Sequence, residues 1–240
     1  MENQTPDYTN VIQIDEADSS RRFLAGVFSW MFVALAISAA FAYEFTTPAL
    51  LQYLYDPATH QLSPLFYIAM FAPLAFVLII SFGMNRLSYT VLSVLFILYS
   101  AVTGISFSFI LLAYTPGSVI GVFLTTSLVF GVMAVAGYTT KTDLTKFGSL
   151  LIMALIGLII ASVINMFLHS EAWDYIISYI GVAVFVGLTA YDVQKLKNIG
   201  AGIQYGDASS KKMALMGGLT LYLDFVNLFL YLIRIFGRRR

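Results

Sequence analysis

The sequence predicts an all-α polytopic membrane protein with seven transmembrane helices. Three observations predict it. Only 11% of the 240 residues are charged and 59% are hydrophobic, whereas a soluble domain carries about 25% charged residues. Mean hydropathy is +0.83. Seven apolar stretches each reach the ~20 residues that an α-helix needs to cross the hydrocarbon core. Backbone polar groups must be paired within the segment in lipid, so helices are the natural form. A β-barrel would show short alternating segments, and none occur.

The chain opens with a polar stretch, residues 1–20, that holds Glu2, Asp7, Asp15, Glu16 and Asp18. It is expected to be a short, poorly ordered cytoplasmic tail, followed by one seven-helix transmembrane domain over residues 21–240. The tail lacks the basic start of a signal peptide. Ala40-Phe41-Ala42 mimics a cleavage site, but the apolar run before it is too long. The first helix is expected from Phe23 to about Phe45, after Arg21 and Arg22. The second covers Leu65–Met84, the third Tyr89–Tyr114, the fourth Ser118–Tyr138, the fifth Phe147–Leu168, the sixth Trp173 to about Val193 and the seventh Met213–Phe236.

The loops set the orientation, because Lys and Arg gather on the cytoplasmic side. Arg21, Arg22, Arg86, Lys141, Lys146, Lys195, Lys197, Lys211 and Lys212 all fall on one side, and the three loops of the other side hold none. The amino terminus is therefore expected in the cytoplasm. The seventh segment departs from the pattern. It starts beside Lys211 and Lys212 and ends with Arg234, Arg238, Arg239 and Arg240. Spanning would put that basic tail outside, and re-entry would need shielding by protein. Its length favours spanning, and late segments follow the charge rule less strictly.

Gly104, Gly121, Gly131, Gly157, Gly187, Gly217 and Gly218 suit close helix approach. Trp30, Trp173 and the tyrosines near segment ends suit interfacial anchoring. The loop from Gln194 to Lys212, with Gly200, Gly202 and Gly206, is expected to be partly flexible.

Composition also excludes functions. Without cysteine there are no disulfides, thiolate zinc sites or cysteine nucleophiles. The two histidines, His60 and His169, fall in expected loops, against a histidine-rich metal centre. A formal net charge of zero gives no basic field for nucleic acid. No cofactor is expected; the partners are the lipid bilayer and ions.

Two acids then stand out. Asp224 lies about 11 residues into the seventh segment, roughly 16 Å deep at ~1.5 Å per residue. Asp192 follows Tyr191 near the cytoplasmic end of the sixth. The two can meet if the last helix starts late or tilts. Asn227 shares the face of Asp224, and Asn227 and Tyr191 are candidates to support the pair. A buried Asp can simply be protonated and hydrogen-bonded to a neighbouring helix; two on consecutive helices favour function. A carboxyl pair in low dielectric resists carrying two charges and tends to share one proton, which makes it a proton sensor. Ionised, it would attract Ca²⁺, which prefers oxygen ligands, in a weak and transient metal site. Arg86 reads either as a plain cytoplasmic anchor or as a latch that pairs with Asp192. Glu44 is expected at the interface, and Asp56, Glu171 and Asp174 in outer water.

The runs GLTAYDVQKLK around Asp192 and LYLDFVNLFLYLIRIFG around Asp224 resemble the Bax inhibitor-1 family, including its bacterial YccA-like branch. The resemblance covers the chain after the polar tail. It implies that the last helix is central and wrapped by the other six. It also implies a pH-sensitive Ca²⁺ leak, with an aspartate pair on helices six and seven, here Asp192 and Asp224, as the sensor. Arg86 is the nearest match to the basic latch residue after helix two. Three other classes compete. Intramembrane aspartyl proteases also use two helix-borne aspartates, and Tyr191-Asp192 fits their first motif, but Asp224 follows Leu221, Tyr222 and Leu223 rather than a glycine-flanked motif. A proton-coupled transporter would show duplicated halves with broken helices, and none is found. A non-conducting regulator of a membrane protease or other membrane partner is the main alternative. The expected location is a bacterial inner membrane.

Overall fold

Five of the seven long helices begin at a capping side chain or a proline. Ser63, Ser88, Ser170 and Asp207 cap four of them, each side chain accepting from the N–H three residues on, and Pro64 and Pro116 open two with a preset φ. In the computed structural model, which describes residues 16–56, 61–203 and 206–240, the helices are α1 (Glu16–Glu44), α2 (Pro48–Leu51), α3 (Pro64–Gly83), α4 (Tyr89–Ala113), α5 (Pro116–Thr139), α6 (Thr145–Leu168), α7 (Glu171–Ala201) and α8 (Ala208–Phe236). Seven of them are long and apolar enough to cross a membrane. Between α2 and α3 a short antiparallel hairpin pairs β1 (Tyr55–Asp56) with β2 (Gln61–Leu62). His60, the Asp56 side chain and residues 1–15, with the expected disorder of the tail, lie outside the described residues.

Two boundaries differ from expectation. Part of the acidic tail is helical, because α1 starts at Glu16. Ser20 Oγ donates to Lys197 O at 2.9 Å and Ser19 Oγ to Ile203 O, which ties this first turn to the end of α7. In addition, α7 runs eight residues past Val193. Gln194 accepts from Leu144 N and donates to Thr142 O, both at 2.8 Å, and Lys197 Nζ donates to Tyr138 O at 2.8 Å. These bonds fasten the polar end of α7 to the α5–α6 turn. The expected flexible loop is thus mostly helix. Gly200 sits inside α7, where a Cβ would stand 3.0 Å from Ser20 Cα and Phe23 Cβ, so its bareness serves the crossing with α1. Gly206, with φ +146°, makes the turn into α8.

The bundle is built around α8, the most deeply buried helix. α1, α4, α5 and α7 pack against it, while α3 packs mainly on α4 and α6 on α7. The last helix is therefore central, and α1, α4, α5 and α7 make most of its contacts. α3 and α6 are the least buried helices and present most of their surface outward, as lipid-facing apolar helices do.

The start of α1, the end of α5 and the α7–α8 turn share one face of the bundle, here the near face. At the far face the chain's end pairs with the α4–α5 turn: Thr115 N donates to Arg238 O and Arg240 N to Ala113 O, both at 2.9 Å. The last helix therefore spans from one face to the other, and its basic tail lies opposite the nine other Lys and Arg residues.

Only some of the glycines serve packing. A Cβ on Gly104 would meet Phe41 Cβ at 2.8 Å, on Gly187 Leu151 Cδ2 at 2.8 Å, and on Gly218 Trp30 Cβ at 2.6 Å. Gly121, Gly131 and Gly157 have nothing within 4 Å, so the packing role expected of them is absent. Trp30 packs its ring 5.8 Å from Phe96 and 6.3 Å from Tyr89, the first residue of α4.

Candidate functional site

The α7–α8 contact sets the site. Leu196 rests where Gly217 leaves room, and the Tyr231 ring rests where Gly181 does. These two contacts make the helices antiparallel in a register that puts Asp192 level with about Thr220 and Leu221, and Asp224 about one turn further on. Cα–Cβ bonds tilt toward each helix's own N-terminus. In antiparallel helices that tilt brings the two acids toward each other, and their carboxyls interact directly across the interface. They meet because α7 continues past Asp192, which lies well inside the helix rather than near its end.

Asp224 is 4% exposed, two residues from the midpoint of α8, and Asp192 is half-buried. Oδ2 of Asp224 has no hydrogen-bond donor. Two carboxylates only accept, so neither can satisfy the other's oxygens. One proton between them would supply the missing donor. Among the described residues no third Asp, Glu, His or Cys joins them to make a metal-binding group.

The other expected residues stand elsewhere. Arg86 is exposed in the turn between α3 and α4 and makes no ion pair among the described residues. The expected contact with Asp192 is not made, because α3 lies outside the ring of helices around α8. The positive charge that acts on Asp192 is that of Lys195, one turn along α7. Asn227 Nδ2 donates to Leu223 O at 2.8 Å, back onto its own helix. Tyr191 turns its ring onto Gly148 of α6, with Lys195 Nζ 5.9 Å from the ring centre. Glu44, Glu171 and Asp174 are exposed. Asp174 accepts from Asn165 Nδ2 at 2.7 Å.

A second polar cluster lies on another side of α8. Ser38 Oγ is 2.7 Å from both Ser100 O and Tyr222 Oη, and Tyr99 packs edge-on to Tyr222 with ring centres 5.5 Å apart. Thr103 donates to Tyr99 O at 2.8 Å. All five residues are buried. Sequence reasoning missed this cluster. Its one signal was Ser100 and Thr103, three apart in an apolar helix, with Tyr222 two residues before Asp224.

Outside the spans, Asp207 caps α8, accepting from Ser210 N at 2.8 Å. Hydrogen bonds from the Ser210 side chain and backbone hold its carboxyl below the usual range. Asp143 is held low in the same way by Thr145.

A spanning bundle with a carboxyl pair at its buried central helix defines a class of polytopic membrane protein with an ionisable interior. The family described as Inhibitor of apoptosis-promoting Bax1 matches residues 20–240, so the chain belongs to the Bax inhibitor-1 family of membrane proteins. It is 47% identical to the inner membrane protein YbhL of Escherichia coli K12 over 91% of this chain and 92% of that protein. It is 43% identical to a protein of Borreliella burgdorferi over 91% and 93% of the two chains, and 39% identical to one of Rickettsia prowazekii over 98% and 99%.

Proposed function

We propose that the chain is a pH-gated cation leak, with Ca²⁺ as the permeant ion and Asp192 and Asp224 as its proton sensor and narrowest polar site. The observation that carries this reading is the meeting of two carboxyls from two spanning helices, one of them fully enclosed with an oxygen that lacks a donor. Keeping an acid at such a depth is costly, which favours a use for it. With one shared proton the pair holds α7 against α8. With none, two negative charges repel in a low-dielectric setting and attract a cation. Two carboxylates bind Ca²⁺ too weakly for storage, since the ion takes six to eight oxygens, and weak binding suits passage. Asp224 follows Leu221, Tyr222 and Leu223 rather than a glycine-flanked motif, which supports a non-enzymatic role. The name of the E. coli relative and the Lys and Arg distribution support a bacterial inner membrane with the amino terminus in the cytoplasm.

The test is Ca²⁺ flux into proteoliposomes of the purified protein between about pH 6 and pH 8, where a coupled pair could titrate. Flux should vary with pH in the wild type and lose that variation in Asp192→Asn and Asp224→Asn. Variants that keep the wild-type profile would remove the sensor. No flux at any pH would remove the leak and favour a non-conducting regulator of a membrane protease or other membrane partner.

A further inference from the structure

The basic tail on the far face runs against the usual charge distribution of membrane proteins, and the carboxyl pair does not account for it. Close by lies a groove. It is about 340 Å³, floored by Phe225 and Phe229 of α8, and walled by α1 around Ala39, by α4 around Phe107 and by α5 around Phe123. That volume falls within the ~300–1,000 Å³ of ordinary small-ligand sites. The groove runs along α1 from Leu35 to Tyr43, about 12 Å at 1.5 Å per residue, close to the depth of one leaflet's hydrocarbon. Its walls are almost wholly apolar. Ile120, Leu124 and Tyr43 at its edges are exposed, so it opens sideways to the bilayer.

The tail runs beside this groove at its far end. Arg238 N donates to Ser118 Oγ at 2.8 Å, next to Val119 and Ile120 of the wall, and Arg240 N donates to Ala113 O. Arg238, Arg239 and Arg240 are exposed, and among the described residues no carboxylate forms an ion pair with them. Arg239 donates to Tyr114 and faces Glu171 and Tyr175 of α7, so Arg238 and Arg240 are the charges left at headgroup level beside the alkyl-shaped slot.

We propose that groove and tail form a binding site for one anionic phospholipid of the far leaflet, with an acyl chain in the groove and the headgroup phosphate on the arginines. Guanidinium groups suit phosphate because they offer several donors in one plane. A second copy of the chain fits less well, since a two-fold contact through this groove would set one arginine tail beside the other.

Native mass spectrometry of the full chain in detergent, with phosphatidylglycerol or phosphatidylcholine of matched acyl chains, tests this. Phosphatidylglycerol should be retained in preference. Arg238→Gln with Arg240→Gln should weaken its binding about thirtyfold, at about one unit of surface attraction per arginine. Ala39→Trp, which fills the groove, should remove retention of both lipids. Should that variant fail to fold, the surface arginine pair decides alone. Equal retention of the two lipids, wild-type retention in the arginine variant, or a dimer mass without lipid would each overturn the site.

Discussion

Leu196 of α7 fills the space over Gly217 of α8. A methyl group at position 217 would stand 2.7 Å from Leu196 Cδ2 and 2.9 Å from Val27 Cγ2 of α1. Three helices meet at that bare backbone, and the contact fixes the register that brings Asp192 to Asp224. Gly217→Val should cost about 1–3 kcal/mol of stability through overpacking and should also disturb the pH profile of flux. Gly121, with open space around it, is the control: Gly121→Ala should raise stability by about 0.5–1 kcal/mol. Thermal unfolding in detergent compares the two.

Tyr222 shares a buried hydrogen bond with Ser38, while Ser38 also reaches Ser100 O. Tyr222→Phe should cost about 0.5–1.5 kcal/mol, the net worth of one such bond. Ser38→Ala should cost more, because it also strips the bond to Ser100. A double-mutant cycle should show coupling between the two changes; additive losses would mean that the bond contributes nothing.

Arg86 is exposed and unpaired with Asp192, whereas Lys195 acts on that acid. In the flux assay, Arg86→Gln should leave the pH profile where it is, and Lys195→Gln should move it. A profile flattened by Arg86→Gln would restore the latch on Asp192.

Asp207 caps α8 with a carboxyl held below its ordinary value of 3.8, chiefly by Ser210. A lowered value in the folded state means that the cap contributes above the ordinary value and is lost as pH falls through the lowered one. Amide exchange at Ser210 should therefore be faster in Asp207→Ala than in the wild type at pH 7. The two should converge in strongly acidic solution.

The spans were legible because hydrophobic length is a local property. The last helix spans, as its length suggested, and the carboxyl pair was legible because an acid in an apolar run is conspicuous. The extension of α7 past Val193 was hidden. Gln194, Lys195 and Lys197 look like loop residues in sequence, yet Gln194 and Lys197 bond to the α5–α6 turn and the end of α5, and helix becomes the cheaper state. The cation beside Asp192 was equally hidden, since Arg86 seemed near in a linear map of the loops but belongs to a turn outside the central ring, while Lys195 lies one turn along α7.

What the sequence determined by itself was composition-driven: an all-helical membrane fold, the number of spans, and two acids that lipid alone could not tolerate. Apolar length and isolated charge act within one segment, so no knowledge of neighbours is needed. What the tertiary structure decided was which residues meet. Gly217 and Gly181 set the α7–α8 register, Gly121 faces open space while Gly104 touches α1, and Tyr222 finds Ser38 across the bundle. Those outcomes depend on the distances between helix axes and on rotation about them, and packing sets both only when all the helices are in place.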